Sequence, residues 1–151
     1  MIILSKMADY GVIVATHLAA HSDRLLNAAV LSAETRLPPA TVAKVLKSLA
    51  HVGIVVGARG AAGGYRLARP AASISIADVV AAIDGEIGMT QCSVHAPGCE
   101  RTHFCPTRPH WNRINLAVGE ALAAVTLADM ATPVPLPAAL ALETSLHRPT
   151  P

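Results

Sequence analysis

The chain has 151 residues, which is room for one ordinary domain or for a small domain with an appendage. Hydrophobic residues make up 52% of it and aromatic residues only 3%, which argues against an aromatic-lined carbohydrate site or an RNA-stacking sheet. Its three cysteines cannot all pair with one another, so a secreted disulfide framework is disfavoured.

The net charge of +2 conceals an uneven distribution. Residues 1–70 carry eight Lys and Arg against three acidic residues, whereas residues 71–151 carry four against seven. The basic half predicts a polyanionic partner, with nucleic acid as the leading candidate and chance clustering of solvated charges as the alternative. The apolar stretch from Tyr10 to Ala20 is about eleven residues and too short for a membrane span. We therefore expect a cytoplasmic protein with no membrane partner.

A first helix is predicted from about Ser5 to His21, with Ser5 as its N-cap. Its apolar positions recur with helical spacing. They are Tyr10, Ile13, Val14, His17 and Leu18. On this face we interpret His17 as a core histidine rather than as a metal ligand, because histidine is commonly part-buried in protein interiors.

Two further helices are predicted, Ala28 to about Arg36 with Asn27 as its cap, and Pro39 to His51 ended by Gly53. The apolar face of the second of these is Val42, Val45, Leu46, Leu49 and Ala50. Its outer face is Thr41, Lys44, Lys47, Ser48 and His51. Two such helices joined by a short turn are typical of a helix-turn-helix. We therefore predict DNA contacts from the outer-face residues Thr41, Lys44, Lys47 and Ser48.

A β-hairpin follows, with a strand at Ile54–Val56, a glycine-rich loop at Gly57–Gly64 and a second strand at Tyr65–Arg69. A basic hairpin after a helix-turn-helix is typical of the wing of a winged helix, and Arg59 could reach a narrow minor groove. The predicted DNA-contacting residues here are Arg59, Gly60, Gly63, Gly64 and Tyr65. A nucleotide-phosphate loop is disfavoured, since it needs a helix after the glycines and a Gly-Lys-Ser/Thr motif.

A fourth helix, capped by Ser73 or Ser75, is predicted to bury Ile76, Val79, Val80 and Ile83 and to end at Gly85. Residues 86–111 are predicted to form a long loop that holds all three cysteines, Cys92, Cys99 and Cys105. Clustered thiols in a reducing compartment point to a metal site, and the wide spacing favours an iron–sulfur cluster over zinc. Unligated cysteines in a flexible loop, or a nucleophilic Cys–His enzyme, are the weaker alternatives.

After Trp111 the helical pattern returns with an apolar stripe that has no obvious partner within the chain. The stripe is Ile114, Ala117, Val118, Ala121, Leu122 and Val125. We predict that this helix packs against its counterpart in a homodimer. Thr126 and Asp129 have the spacing of a capping box for one more short helix. The Pro-rich end of the chain, residues 133–151, is expected to be a mobile tail.

These motifs occur together, in one order, in a known family. They are Leu4-Ser5-Lys6 with Asp9-Tyr10, the wing Arg59-Gly60-x-x-Gly63-Gly64-Tyr65-x-Leu67, Ile76-x-Asp78-Val79, and the cysteine triplet. The chain resembles the Rrf2 family of winged-helix transcription regulators over about residues 2–132. The segments Leu37–Lys47 and Trp111–Met130 are most similar to regulators of the SUF iron–sulfur assembly system.

The resemblance implies a homodimer on a near-palindromic operator and a cluster held by Cys92, Cys99 and Cys105. Some members supply a fourth ligand from a His three residues after the last cysteine, but Arg108 stands there and cannot ligate. Other members use an acid at the position of Asp9, from the other subunit, and His103 and His110 remain alternatives. Ala43 replaces a Glu that reads operators in some members, so the operator sequence is expected to differ.

We therefore predict a mostly α fold with a small β-hairpin: a winged helix-turn-helix plus a long C-terminal dimerisation helix. The expected parts are a DNA-binding domain at 1–85, a cysteine loop at 86–111, a dimerisation helix at 112–132 and a tail at 133–151. The predicted function is a transcription regulator that senses iron–sulfur status through a cluster, [2Fe–2S] in preference to [4Fe–4S], and controls SUF genes. The alternatives are a nitric-oxide-sensing repressor and, from another class, a zinc-binding or metal-free dimeric interaction protein. No enzymatic role or small-molecule substrate is expected.

Overall fold

The computed structural model of the protein describes residues 4–90, 93, 99 and 104–133. Within them the chain is mostly helical and has one two-stranded antiparallel sheet. The elements are α1 (Lys6–Ala20), α2 (Ala28–Thr35), α3 (Pro39–His51), β1 (Val55–Ala58), β2 (Gly64–Leu67), a short 3₁₀ turn (Ala71–Ser73), α4 (Ile76–Asp84), α5 (Arg108–Ala123) and α6 (Leu127–Ala131). The predicted fold class, mostly α with a small β-hairpin, is confirmed, whereas dimerisation through the C-terminal helix stays a prediction. Cys92, His103 and residues 134–151 lie outside the described residues.

The helix starts follow the local capping chemistry that the sequence predicts. The Ser5 hydroxyl accepts a hydrogen bond from the Ala8 N–H at 3.0 Å, and the Asn27 side chain accepts one from the Val30 N–H at 2.9 Å. Ser75 rather than Ser73 caps α4, and it forms a reciprocal capping box with Asp78. Thr126 and Asp129 form the same box at α6, as predicted.

The core lies between α1, α3, α4 and α6, with α3 burying the predicted Val42, Val45, Leu46 and Leu49. Ala50, which was expected on this face, is exposed. The predicted buried face of α1 is also wrong at three positions: Ile13 is exposed, and Tyr10 and His17 are only part-buried. The physical reason is a close helix contact at Gly11, where an added Cβ would lie 3.0 Å from the Ile83 Cγ1.

At that contact Gly11 lies against the side chains of Ile83 and Val79, and its missing Cβ lets α1 and α4 come close together. The buried residues of α1 are Ala8, Gly11, Val14, Ala15 and Leu18. This face is rotated from the face that hydrophobicity alone predicts. The close approach of α4 leaves room for Gly11 but not for a large apolar side chain at that position. The rotation turns His17 away from the core.

The hairpin pairs Val55 with Leu67 and Ala58 with Gly64. Both strands extend into the predicted glycine-rich loop, β1 as far as Ala58 and β2 from Gly64. The connecting loop is therefore shorter than predicted and covers residues 59–63. Tyr65 also bridges to Leu26, with the Tyr65 N–H donating to the Leu26 carbonyl at 2.8 Å and the Leu26 N–H donating back at 3.0 Å. The hairpin is thereby anchored to the segment just before α2.

The α5 helix begins at Arg108, so the predicted start after Trp111 is wrong. Pro109 occupies the first helical turn, where a missing N–H costs nothing and the fixed φ favours the helix. No α5 side chain is fully buried. Of the predicted dimerisation stripe, Val118 and Leu122 are part-buried, while the remaining members face solvent. Those exposed members are Ile114, Ala117, Ala121 and Val125.

No helix in the described chain is long and apolar enough to cross a membrane.

Candidate nucleic-acid interface and cysteine segment

The outer face of α3 presents the predicted contact residues away from the core. Lys44 and Lys47 are exposed, and Thr41 and Ser48 are part-buried beside them. Because Val42, Val45 and Leu49 bury the opposite face, the orientation of α3 is fixed and both ammonium groups point to solvent. This is the arrangement by which a recognition helix reaches base edges and phosphates in a major groove.

The tip of the hairpin presents Arg59 and Gly60 to solvent. Gly60 has φ +112°, a backbone conformation that other residues rarely adopt. Gly63 donates its N–H to the Gly60 carbonyl at 3.0 Å, and a Cβ on Gly63 would lie 2.3 Å from the Ala58 oxygen. The loop is therefore tight enough to demand glycine, and it holds the guanidinium of Arg59 at the end of the wing.

Two predicted DNA contacts at the base of the wing have a packing role in the structure. Gly64 is buried, and an added Cβ there would lie 2.8 Å from the Leu26 carbonyl carbon. Tyr65 is part-buried and forms the bridge to Leu26. Packing alone explains the geometry of Gly64 and Tyr65, so their contact with DNA stays a prediction. The DNA contacts of the exposed residues on α3 and at the wing tip also stay predictions.

The basic surface extends beyond the residues that motif reasoning singled out. No acidic residue lies between Glu34 and Asp78, and that stretch holds six basic residues. They are Arg36, Lys44, Lys47, Arg59, Arg66 and Arg69. Arg36 is exposed at the turn between α2 and α3 in a left-handed conformation with φ +56°, and Arg66 is exposed on β2. The missed signal was the acid-free stretch itself, which runs from the end of α2 through α3 and the wing.

The cysteine segment joins α4 to α5. Cys99 and Cys105 are each part-buried and are not in a disulfide, and Cys92 lies outside the described residues. The Cys105 Sγ and the Thr107 Oγ1 form a hydrogen bond at 3.2 Å. Two part-buried thiols on the long connection between α4 and α5, with a hydrogen bond at the Cys105 sulfur, fit the chemistry of a thiolate-ligated cluster, whose potential depends on hydrogen bonds to sulfur.

The start of this segment is held to the rest of the fold at two points. Asn115 on α5 donates to the Ile87 carbonyl at 3.0 Å and accepts from the Met89 N–H at 3.0 Å. At the end of α4, Asp84 accepts a hydrogen bond from the Ser5 hydroxyl at 2.7 Å. Ser5 thus caps α1 and also connects α1 to the start of the cysteine segment.

Of the proposed fourth ligands, the structure describes Asp9 and His110. Asp9 is exposed in the first turn of α1, and His110 is exposed near the start of α5. Neither joins Cys99 and Cys105 in a group of three close donor atoms within the described residues. Ligation by Asp9 from a second subunit, or by His110 or His103, therefore stays a prediction.

Within the described residues, a different group of three possible metal ligands does come together, and the sequence did not predict it. His17 on α1, His21 at its end and Glu34 on α2 bring their ligand atoms within 4.8 Å of one another. The His17 Nε2 lies 2.6 Å from the Glu34 Oε2, and this hydrogen bond holds the pKa of Glu34 below its usual value, with a further contribution from Arg24. The interpretation of His17 as a core histidine is therefore wrong, since the rotation of α1 turns it towards Glu34.

A helix-turn-helix with a basic outer face, followed by a basic glycine hairpin, defines a winged-helix DNA-binding regulator. The chain belongs to the Rrf2 family: the family model of Rrf2 iron-dependent transcriptional regulators matches residues 4–133. Members of this family are transcription regulators.

Relatives agree with this assignment. An HTH-type transcriptional regulator of Mycobacterium tuberculosis (strain H37Rv) is 33% identical over 135 residues, covering 85% of this chain and 80% of its own. One from Neisseria meningitidis serogroup A is 39% identical over 79 residues, and that match covers 52% of this chain and only about half of the relative, 53%. IscR of Vibrio parahaemolyticus is 28% identical over 85% of this chain and 77% of its own length.

Solved structures share the fold. CymR, the global cysteine regulator of B. subtilis, superposes with a TM-score of 0.70 at 26% identity, covering 87% of this chain and 97% of its own. IscR of T. potens gives a TM-score of 0.68 at 22% identity, covering 99% and 94%, and at that identity it supports the fold alone.

Proposed function

We propose that this protein is a homodimeric regulator whose operator binding responds to iron–sulfur cluster status, with SUF iron–sulfur assembly genes as its targets. The observation that carries the proposal is the attachment of the start of the cysteine segment to both α1 and α5. The segment begins beside Asp84, which is bonded to the α1 cap Ser5, and its first residues are held by Asn115 of α5. The description of the matching family as iron-dependent supports the same signal.

The thiolates of Cys92, Cys99 and Cys105 would hold the cluster, and Asp9 of a second copy would complete the ligand set. His103 and His110 are the alternatives for that position, and a [2Fe–2S] cluster is favoured over [4Fe–4S]. When bound, such a cluster supplies chemistry that responds to iron supply, oxidants and nitric oxide. The exposed position of Asp9 supports ligation across a subunit interface rather than within one chain.

The chain's own residues would carry the response to the DNA-binding face. Ser5 joins the start of α1 to the end of α4, and α1 packs against α3, whose outer face carries Lys44 and Lys47. A conformational change of the cysteine segment, residues 86–107, on cluster binding would therefore act on α1 at two points, Ser5 and Asp9. Cluster ligation shifts the balance between the DNA-competent and DNA-incompetent conformations only if the two conformations bind the cluster with different affinity.

The exposed stripe of α5 supports a homodimer. Ile114 is 44% exposed and Val125 is 39% exposed, although both are large apolar residues of this stripe. Contiguous apolar surface on a soluble protein is typical of an interaction site. Packing α5 against its counterpart would cover this stripe and would fix the separation of the two recognition helices along an operator.

The cluster is tested by anaerobic purification of the full chain, with visible and electron paramagnetic resonance spectra and iron and sulfide analysis. We expect a brown protein whose absorbance is lost in the Cys105→Ser variant. The Asp9→Ala, His103→Ala and His110→Ala variants identify the fourth ligand, because only the ligand's loss should change the spectrum. A colourless protein that carries stoichiometric zinc would overturn the cluster proposal.

Operator binding is tested separately, with DNA from upstream of the gene that encodes the protein and of SUF genes. Lys44→Ala and Arg59→Ala should each weaken binding, whereas Arg113→Ala removes the same charge from exposed α5 and should not. A base-reading contact is worth about 1–3 kcal/mol. If no DNA shows weaker binding to the two interface variants than to the Arg113→Ala control, the protein is better explained as an interaction protein with a degenerate wing.

A brief treatment with nitric oxide separates the two candidate signals. If the operator is released by nitric oxide but not by iron depletion, the nitric-oxide alternative replaces iron–sulfur status as the signal.

A further inference from the structure

We propose a second metal site, independent of the cysteines, in which His17, His21 and Glu34 bind a borderline divalent transition-metal ion of the Zn²⁺ type. The three side chains come from the end of α1 and the last turn of α2, and their ligand atoms lie within 4.8 Å of one another. Two imidazoles and one carboxylate form a donor set that Zn²⁺ uses with a fourth position open to solvent.

The tautomer of His21 is fixed in the form that a metal requires. Its Nδ1 lies 2.9 Å from the His17 carbonyl oxygen. Because a carbonyl can only accept, Nδ1 carries the proton and the Nε2 lone pair is left available. Donation of the second ring N–H to a backbone carbonyl is the usual support for a metal-ligating histidine.

His17 and Glu34 need only a small adjustment to bind an ion together. The His17 Nε2 and the Glu34 Oε2 are 2.6 Å apart, and they share a proton in the metal-free protein. Zinc–nitrogen and zinc–oxygen bonds of about 2.0–2.2 Å in a tetrahedron set the two donor atoms about 3.4 Å apart. Both side chains are partly exposed, at 21% and 36%, so the adjustment disturbs no core packing.

Ligation by the His17 Nε2 would displace the proton that it donates to Glu34, either to solvent or to the Nδ1 of the same ring, and would place the divalent charge beside one carboxylate. Arg24 competes for that carboxylate, since its guanidinium lies 3.5 Å from the Glu34 Oε1. Its side chain is 49% exposed and can turn into solvent. Removal of Arg24 should therefore tighten metal binding.

The choice of metal follows from the donors. Imidazole and carboxylate suit borderline ions, whereas thiolates attract softer metals and clusters. The site also lies on the helix-turn-helix side of the fold, where an ion would join α1 to α2. Metal binding should therefore raise the unfolding temperature of the DNA-binding part, because an ion that binds only the folded state stabilises it.

The test uses Co²⁺ as a spectroscopic probe on the full, tag-free chain with Cys92, Cys99 and Cys105 all replaced by Ser. We expect one Co²⁺ per chain with visible d–d absorption, no sulfur-to-cobalt charge-transfer band, and displacement by Zn²⁺. His17→Ala, His21→Ala and Glu34→Gln should each weaken binding by about tenfold to a hundredfold or more. The exposed His51 on α3 supplies the control, since His51→Ala should bind Co²⁺ like the parent.

Circular dichroism checks that each variant is folded, and melting with and without Zn²⁺ gives an independent measurement. The expected stabilisation by Zn²⁺ should be present in the parent and in His51→Ala but absent in His21→Ala. The proposal is overturned if the cysteine-free protein binds no Co²⁺, or if His17→Ala and His21→Ala bind it as tightly as His51→Ala. None of these results depends on the cluster or on an operator, so the site can fail without affecting the proposed function.

Discussion

Replacing Gly64 by alanine should loosen the wing from the body of the protein. The added Cβ would lie 2.8 Å and 2.9 Å from the carbonyl carbon and oxygen of Leu26, both backbone atoms that no side-chain rotation can move. Ordinary contact needs about 3.4 Å or more between such carbon atoms. The hairpin must therefore retreat from Leu26 by roughly 0.5 Å or more.

That retreat stretches the two hydrogen bonds that anchor the hairpin. They join the backbones of Leu26 and Tyr65 at 2.8 Å and 3.0 Å, and an added 0.5 Å, about the shift required, takes them beyond the usual 3.2 Å limit. At about 0.5–1.5 kcal/mol per bond, the expected loss is about 1–3 kcal/mol of unfolding free energy. Leu26 is only 2% exposed, so water cannot easily replace the lost partners and the larger value is favoured.

Urea unfolding followed by circular dichroism measures this loss at a fixed protein concentration, and the unfolding temperature should fall by roughly 2–4 °C per kcal/mol. Gly57→Ala is the matched control. Its added Cβ would lie 3.2 Å from the edge of the Tyr65 ring, and this side chain can shift to relieve the contact. The control should change stability by less than about 1 kcal/mol. If Gly64→Ala is as stable as the control, the anchoring role assigned to the Leu26 bridge is wrong.

Four further changes test other parts of the structure. Ser5→Ala removes the α1 cap and should cost about 0.5–2 kcal/mol in urea unfolding, while Ser22→Ala, exposed in the following turn, should cost almost nothing. Glu34 has a lowered pKa, so its contribution to stability is present above its ordinary value of 4.5 and is lost as the pH falls through the lower folded value. Glu34→Gln should therefore flatten the acid side of the stability curve, and an unchanged pH profile would contradict the His17 contact. Ile114→Glu should convert the proposed dimer to monomer in sedimentation experiments, and an unchanged mass would exclude α5 as the interface. Lys47→Ala should reduce the slope of log affinity against log salt by about 0.9 if it contacts one phosphate, and an unchanged slope would remove it from the interface.

The features that sequence predicted well are those decided within a few residues. Ser5, Asn27 and Thr126 cap the expected helices because capping needs only a side-chain oxygen and an N–H two or three positions later. The limits of α3 follow from Pro39 at its start and Gly53, with φ +72°, just after its end. These signals do not depend on where the rest of the chain lies.

The features that sequence missed depend on distant partners. The buried face of α1 is set by the approach of Ile83 to Gly11, more than 70 residues away in the chain. Once α1 is rotated in this way, His17 meets Glu34 instead of the core. Hydrophobic periodicity cannot show this, because it weighs the size of apolar side chains and not the closeness that a glycine permits between two helices.

The same glycine contact explains how α1 can connect the DNA-binding helix α3 with the start of the cysteine segment. Its buried face packs against α3 and α4, its first residue is capped by a side chain bonded to Asp84, and its exposed first turn carries Asp9. Gly11 lies in close contact with the side chains of Ile83 and Val79, so a displacement of α1 costs packing contacts. We therefore expect ligation by Asp9 of a cluster held on a second subunit to move α1 as a unit and to reach α3 through their shared core. Gly11→Ala, which adds a methyl group 3.0 Å from the Ile83 side chain, should alter operator affinity without touching DNA or the cysteines. If its operator affinity matches the parent's while the protein remains folded, α1 does not transmit the signal.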